Sequence, residues 1–313
     1  MAAVTNGIKG ENKDVYEVYE EITIPVPWGH ISGKWWGPKN TQPIIAIHGW
    51  QDNSGTFDSL APLLKEKGLS LLCIDLPGHG LSSHLPDGQF YYIFWDGVHF
   101  LRRVVKYYKW TEPITVIGHS LGGAIAFLYA AAYPDQIKKY VSIDIASPSV
   151  RTPEKMVSAI GAAVDKFLYY ETLPEEKHPC YTKEEMLDIL VDAHNGSVTR
   201  QGCEYLLKRA VKPAKHKEGY YVFTRDTRLK VSSLGFLCME QVLHLARQIK
   251  CEVLNIRGNP GMKFDIPENY NIVLDEIEKS AKKLERHVVD GTHHLHLNDG
   301  ACVADIIHKF IIS

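Results

Sequence analysis

The chain has 313 residues, 45% of them hydrophobic and 23% charged. That suffices for one large domain with a sizeable core, or for two small ones. Thirty-five Lys and Arg against 37 Asp and Glu leave a formal charge of −2, which excludes a blanket basic field for nucleic acid or anionic membranes.

Residues 1–19 are polar, with Lys9, Glu11, Lys13 and Asp14, and lack the apolar stretch of a signal peptide. Residues 22–36 alternate apolar and polar around Pro27-Trp28-Gly29-His30, which predicts an antiparallel hairpin. The texture then changes. Residues 43–47, 69–74, 114–117 and 140–143, and later 253–256, are continuous apolar runs with helical stretches between them. Such spacing predicts buried parallel strands in βαβ units. Apolar periodicity predicts helices over 56–65 and 98–108, and residues 121–133 are small and apolar, as a buried helix requires.

After Asp144 the alternation stops, and no buried-strand run returns until Val253. A structureless loop of that length is rare, so a helical insertion is expected. Thr182-Lys183-Glu184-Glu185 has the spacing of a capping box, and Gly196 marks the end of that helix. A helix over 271–284, a strand at 287–289 and a last helix over 303–312 complete the chain. No run reaches the roughly 18–20 apolar residues of a membrane span. The six cysteines are scattered without metal-ligand spacing and read as reduced thiols. A cytoplasmic protein is expected, with a peroxisomal location left open although Phe310-Ile311-Ile312-Ser313 is not the common peroxisomal ending. Oligomeric state is not legible.

Gly118-His119-Ser120-Leu121-Gly122 follows the apolar run 114–117 and precedes the small-residue helix. This is Gly-x-Ser-x-Gly in a strand–turn–helix setting, the nucleophile elbow. The turn is tight enough to strain the serine backbone, and glycines on either side relieve clashes with strand and helix. A serine hydroxyl needs a base to take its proton. Gly291-Thr292-His293-His294-Leu295-His296 supplies three histidines near the C-terminal end. His293, the first after the glycine, is the leading candidate, then His294, then His296. An oxyanion hole needs two backbone N–H groups. Leu121, next to the serine, and Trp50, in His48-Gly49-Trp50 after the run 43–47, are the expected donors.

Ile47-His48-Gly49-Trp50, Asp75-Leu76-Pro77-Gly78-His79-Gly80-Leu81-Ser82, Gly118-His119-Ser120-Leu121-Gly122-Gly123 and Gly291-Thr292-His293 occur in the order of the α/β-hydrolase superfamily, which the chain resembles from about residue 20 onward. Pro25-Val26-Pro27-Trp28-Gly29-His30-Ile31, His48-Gly49-Trp50-Gln51-Asp52-Asn53 and Thr224-Arg225-Asp226-Thr227-Arg228-Leu229 resemble its serine hydrolase-like branch. The resemblance implies an α/β fold: a mostly parallel eight-stranded central sheet with a helical cap inserted after the sixth strand. The expected division is a core of residues 1–146 and 248–313 and a cap of residues 147–247.

The triad acid departs from the family pattern. It usually lies three residues past a glycine after the seventh strand, but Arg257-Gly258-Asn259-Pro260-Gly261 places Gly261 there. Asp144, ending the sixth strand, is the leading substitute, since haloalkane dehalogenase-like relatives carry their acid at that strand end. Asp265 is the alternative. Those relatives, and epoxide hydrolases, form an ester on an aspartate, whereas Ser120 implies an acyl-enzyme on serine.

The expected function is that of a serine hydrolase, carboxylesterase-like, acting on an ester, thioester or amide of a small apolar acid. The alternatives are a non-catalytic ligand-binding protein of the same fold, and a C–C bond hydrolase or lyase using the same serine. The expected partner is a small apolar substrate, with no nucleic acid. No cofactor and no metal are expected, because His293, His294 and His296 lack a cysteine or carboxylate at helical zinc spacing. Asp75-Leu76-Pro77-Gly78-His79-Gly80 is assigned a structural role, and Lys212-Pro213-Ala214-Lys215-His216-Lys217 a solvated surface.

Overall fold

The computed structural model describes residues 18–88, 92–231, 235–262 and 267–313. The chain opens with the antiparallel hairpin β1 (Tyr19–Val26) and β2 (Gly29–Trp36). Then come β3 (Ile44–Ile47), a 3₁₀ turn (Ser54–Phe57), α1 (Ala61–Glu66), β4 (Leu71–Ile74) and α2 (Phe94–Tyr107). β5 (Ile114–His119), α3 (Leu121–Ala132) and β6 (Ile137–Ile143) follow. The chain then leaves the sheet for α4 (Pro153–Glu171), α5 (Lys183–His194), α6 (Arg200–Ala210), the small hairpin β7 (Val211–Pro213) and β8 (Tyr221–Phe223), and α7 (Met239–Ala246). It returns as β9 (Glu252–Gly261), α8 (Pro267–Glu278), β10 (Lys283–Thr292), α9 (Leu295–Asn298) and α10 (Ala301–Ile312).

The protein has the α/β-hydrolase fold. Eight strands form one sheet in the order β1-β2-β4-β3-β5-β6-β9-β10. β2 runs antiparallel to both neighbours, and every pairing from β4 to β10 is parallel. All residues of β3 and β4 are buried, as a sheet covered on both faces demands. One face packs on α2, α3, α7 and α8, the other on α1 and α10. Helix α3 is apolar all round, with Phe127, Leu128 and Tyr129 fully buried.

Two predicted helices are reshaped. The one expected over 56–65 divides into the 3₁₀ turn, which Asn53 caps by accepting from the Gly55 amide, and α1, which begins beside Pro62. The one expected over 271–284 stops at Glu278, because Lys283 already pairs with Glu252. Ladder hydrogen bonds to β9 override the apolar periodicity there. Thr182 and Glu185 form the reciprocal capping box, and α5 ends on Asn195 in the left-handed region, with Gly196 behind it at φ 77°.

The segment between β6 and β9 is fastened to the loops at the carboxyl ends of β3 and β4. Asn53 Nδ2 donates to the Leu206 carbonyl at 2.9 Å, and Gln51 Nε2 to that of Leu229 at 2.7 Å. Tyr92 donates to Asp226 at 2.8 Å, and Asp226 also receives Arg228. Arg209, from α6, donates twice to Asp75 Oδ2, at 2.8 and 3.0 Å. Asp75 also accepts the Ser54 and Leu81 amides. Burial alone would raise the Asp75 carboxyl, but the guanidinium beside it outweighs burial and holds it below its usual value. Breaking a buried pair by removing one partner costs about 3–5 kcal/mol, because the other charge stays buried. Arg209→Met should therefore lower stability by about that much in urea unfolding. A loss under about 1 kcal/mol would mean that water reaches Asp75 readily.

Candidate active site

The carboxyl ends of β3, β5, β6 and β10 converge on one cavity of about 410 Å³, within the usual range for small-molecule sites. Ser120 follows β5 at φ 50° and ψ −116°, a strained conformation for a residue with a side chain. The flanking glycines explain how the turn closes. A Cβ on Gly118 would strike the Gly122 backbone, and one on Gly122 would strike the Ile47 carbonyl. Ser120 caps α3, so the Leu121 amide is the first of that helix and has no intrahelical acceptor.

Asp144 follows β6 at φ 50°, fully buried. Its Oδ1 accepts the Gly258 amide and its Oδ2 meets His293 Nδ1, both at 2.7 Å. His293 follows β10 and, like Ser120, Trp50 and Leu121, lines the cavity. Gly261 stands where the family pattern would put the acid. A Cβ there would lie 2.6 Å from Asp144 Oδ1, so the glycine leaves the room that Asp144 occupies. Asp265 lies outside the described residues.

Of the other two candidate histidines, His294 also lines the cavity and His296 does not. His294 Nδ1 contacts Ser197 Oγ at 2.8 Å, and its Nε2 approaches Asp52. His296 is fully buried, its Nε2 against Thr56 Oγ1 at 3.2 Å. No carboxylate stands at helical zinc spacing from these histidines in the sequence, but the fold brings one to them. Asp52, distant in sequence, stands 3.3 Å from His294 Nε2 and 3.7 Å from His119 Nδ1. Sequence spacing could not show it, because the loop after β3 meets the end of β10 only in the folded sheet. Arg151, against Phe236, also lines the cavity and carries no motif signal.

A family model described as the alpha/beta hydrolase fold matches residues 42–182. A probable serine hydrolase of Drosophila melanogaster is 52% identical, over 94% of this chain and 88% of its own length. The chain belongs to the α/β-hydrolase superfamily, in its serine hydrolase-like branch. A serine hydrolase-like protein of Danio rerio is 36% identical over 93% of this chain and 88% of its own. Among solved structures, a hypothetical protein of Pseudomonas aeruginosa superposes with a TM-score of 0.82 at 30% identity, covering 94% of this chain and all of that one.

In this α/β-hydrolase the loop carrying Trp50 hangs on two neutral histidines. His48 Nε2 accepts the Leu76 amide at 2.9 Å, and His79 Nε2 accepts the Gln51 amide at 3.2 Å. Only an unprotonated nitrogen can accept. Burial lowers both, His79 to about 3. Burial also lowers His119, His294 and His296. His194 differs: burial would lower it, but Asp52 and Cys203 outweigh burial and raise it to about 10.

As pH falls below about 6.5 the unfolded chain takes up protons that the lowered histidines refuse, so stability drops by up to about 1.4 kcal/mol per pH unit for each. His194, raised to about 10, stays protonated in the fold and opposes that slope slightly until its unfolded form is protonated too. Urea midpoints should fall between pH 6.5 and 5, and less steeply in His79→Gln. A flat profile over that window would mean that these rings are already charged in the fold.

Proposed function

We propose that the protein is a serine hydrolase acting on an ester, thioester or amide of a small apolar acid through a Ser-His-Asp triad. Ser120 Oγ attacks the carbonyl, and His293 takes its proton and returns it to the leaving group. Asp144 orients the His293 ring and stabilises the imidazolium that forms. The Trp50 and Leu121 amides receive the negative oxygen, and water then frees the acyl-enzyme.

One observation carries this reading. The 2.7 Å contact between His293 Nδ1 and Asp144 Oδ2 stands beside the cavity lined by Ser120 at the strained elbow. Tyr92, Phe94, Leu121, Ile145 and Phe236 line the same cavity, which favours an apolar acyl group. In this reading residues 147–247 are a cap over a core of residues 1–146 and 248–313, and Phe236 from that cap closes the acyl pocket.

A fluorophosphonate probe should label the wild-type protein and fail to label folded Ser120→Ala. Asp144→Asn should keep the fold and lower kcat on a responsive ester by about 10³–10⁴, because the imidazole loses its tautomer. An unlabelled, folded wild type would favour a ligand-binding protein that performs no acyl transfer.

A further inference from the structure

Each of the two residues assigned to proton transfer has a buried histidine beside it in sequence: His119 before Ser120, and His294 after His293. Both rings turn toward Asp52, which is itself 4% exposed. Their donor atoms all lie within 4.8 Å of one another. His119 Nε2 sits 2.9 Å from the His293 carbonyl. A carbonyl only accepts, so Nε2 bears the proton, and the neutral ring turns a bare Nδ1 toward the carboxylate. Asp52 Oδ2 and His119 Nδ1 are both buried without a hydrogen-bond partner. Two acceptors facing each other in a dry site leave a gap that calls for a cation.

We propose that Asp52 Oδ2, His119 Nδ1 and His294 Nε2 form a binding site for a divalent first-row metal, Zn²⁺ in the first instance. Two imidazoles and one carboxylate are a donor set suited to that ion. Zinc held at about 2.0–2.1 Å by tetrahedral ligands puts those ligands about 3.4 Å apart. The observed separations from Asp52 Oδ2 are 3.3 and 3.7 Å, and the two ring nitrogens lie within 4.8 Å of each other.

The outer contacts fit as well. Ser197 Oγ stands 2.8 Å from His294 Nδ1 and can accept that nitrogen's proton when Nε2 ligates, and the His293 carbonyl fixes the His119 tautomer. His194 Nε2 faces the other carboxylate oxygen at 3.7 Å. All three ligands line the cavity, which gives the ion its route in and leaves a coordination position for water or substrate. The inference concerns metal binding and stands whether or not Ser120 is a nucleophile.

The test is calorimetry with Zn²⁺ on the full chain after chelator treatment, with Co²⁺ as the spectroscopic probe. The wild type should take up one tight equivalent and show the visible bands of low-coordinate Co²⁺ with N/O ligands. Asp52→Asn and His294→Gln should each weaken that equivalent at least a hundredfold, with circular dichroism confirming the fold. Ser197→Ala, which removes only an outer contact, should weaken it by about ten- to a hundredfold and serves if either of the others fails to fold. A wild type without a tight equivalent would overturn the proposal and leave a bridging water or a shared proton as the occupant. So would a tight equivalent that survives these substitutions in folded protein.

Discussion

Everything at the carboxyl edge of the sheet is arranged around the buried carboxylate of Asp144. It takes an amide from Gly258 within β9 and an imidazole from His293 after β10, and so spans three neighbouring strands. A buried carboxylate is tolerated in a dry interior only when donors surround it. Those two bonds therefore fix more than one side chain. They tie β9 and the turn after β10 to the end of β6, beside the cavity that Ser120 lines. The elbow meets the same requirement from the opposite side. Glycines at 118 and 122 let strand and helix close on a backbone that holds the hydroxyl clear of the sheet.

Buried carboxylates recur through the molecule, and their partners separate support from chemistry. Asp58 is matched by Lys34, Asp75 by Arg209 and Asp226 by Arg228. Two of those pairs join the segment between β6 and β9, or its contacts, to the loops after β3 and β4. Asp52 differs in kind. Among the described residues its ion-pair neighbours are His119, His194 and His294, with no guanidinium or ammonium in the set. An acid neutralised only by imidazoles responds to whatever those imidazoles bind.

Much of this was legible in the chain because strands of a parallel sheet are buried on both faces and read as unbroken apolar runs. The β3 run, Ile44 to Ile47, is an example. The elbow was legible because its glycines are demanded by contacts within a few residues. Asp144 could be singled out at the end of its strand, although only the fold shows its Oδ1 against Gly258 and the room left at Gly261. Elements whose shape depends on a distant partner were harder. The end of α8 is decided by pairing between Lys283 and Glu252, which no local periodicity encodes. Asp52 was passed over for the same reason. It lies in a quoted motif, yet its meaning comes from His119 and His294, which topology rather than spacing brings to it.

Gly261 and Asp144 compete for one volume. Gly261 adopts φ 59°, and the Asp144 carboxylate fills the volume its side chain would need. A carboxylate cannot simply be added at 261 while Asp144 remains, since the two would compete for one space and repel each other. Nor can Asp144 be removed first without stranding His293. Within this fold a carboxylate at one of the two strand ends therefore excludes a carboxylate at the other.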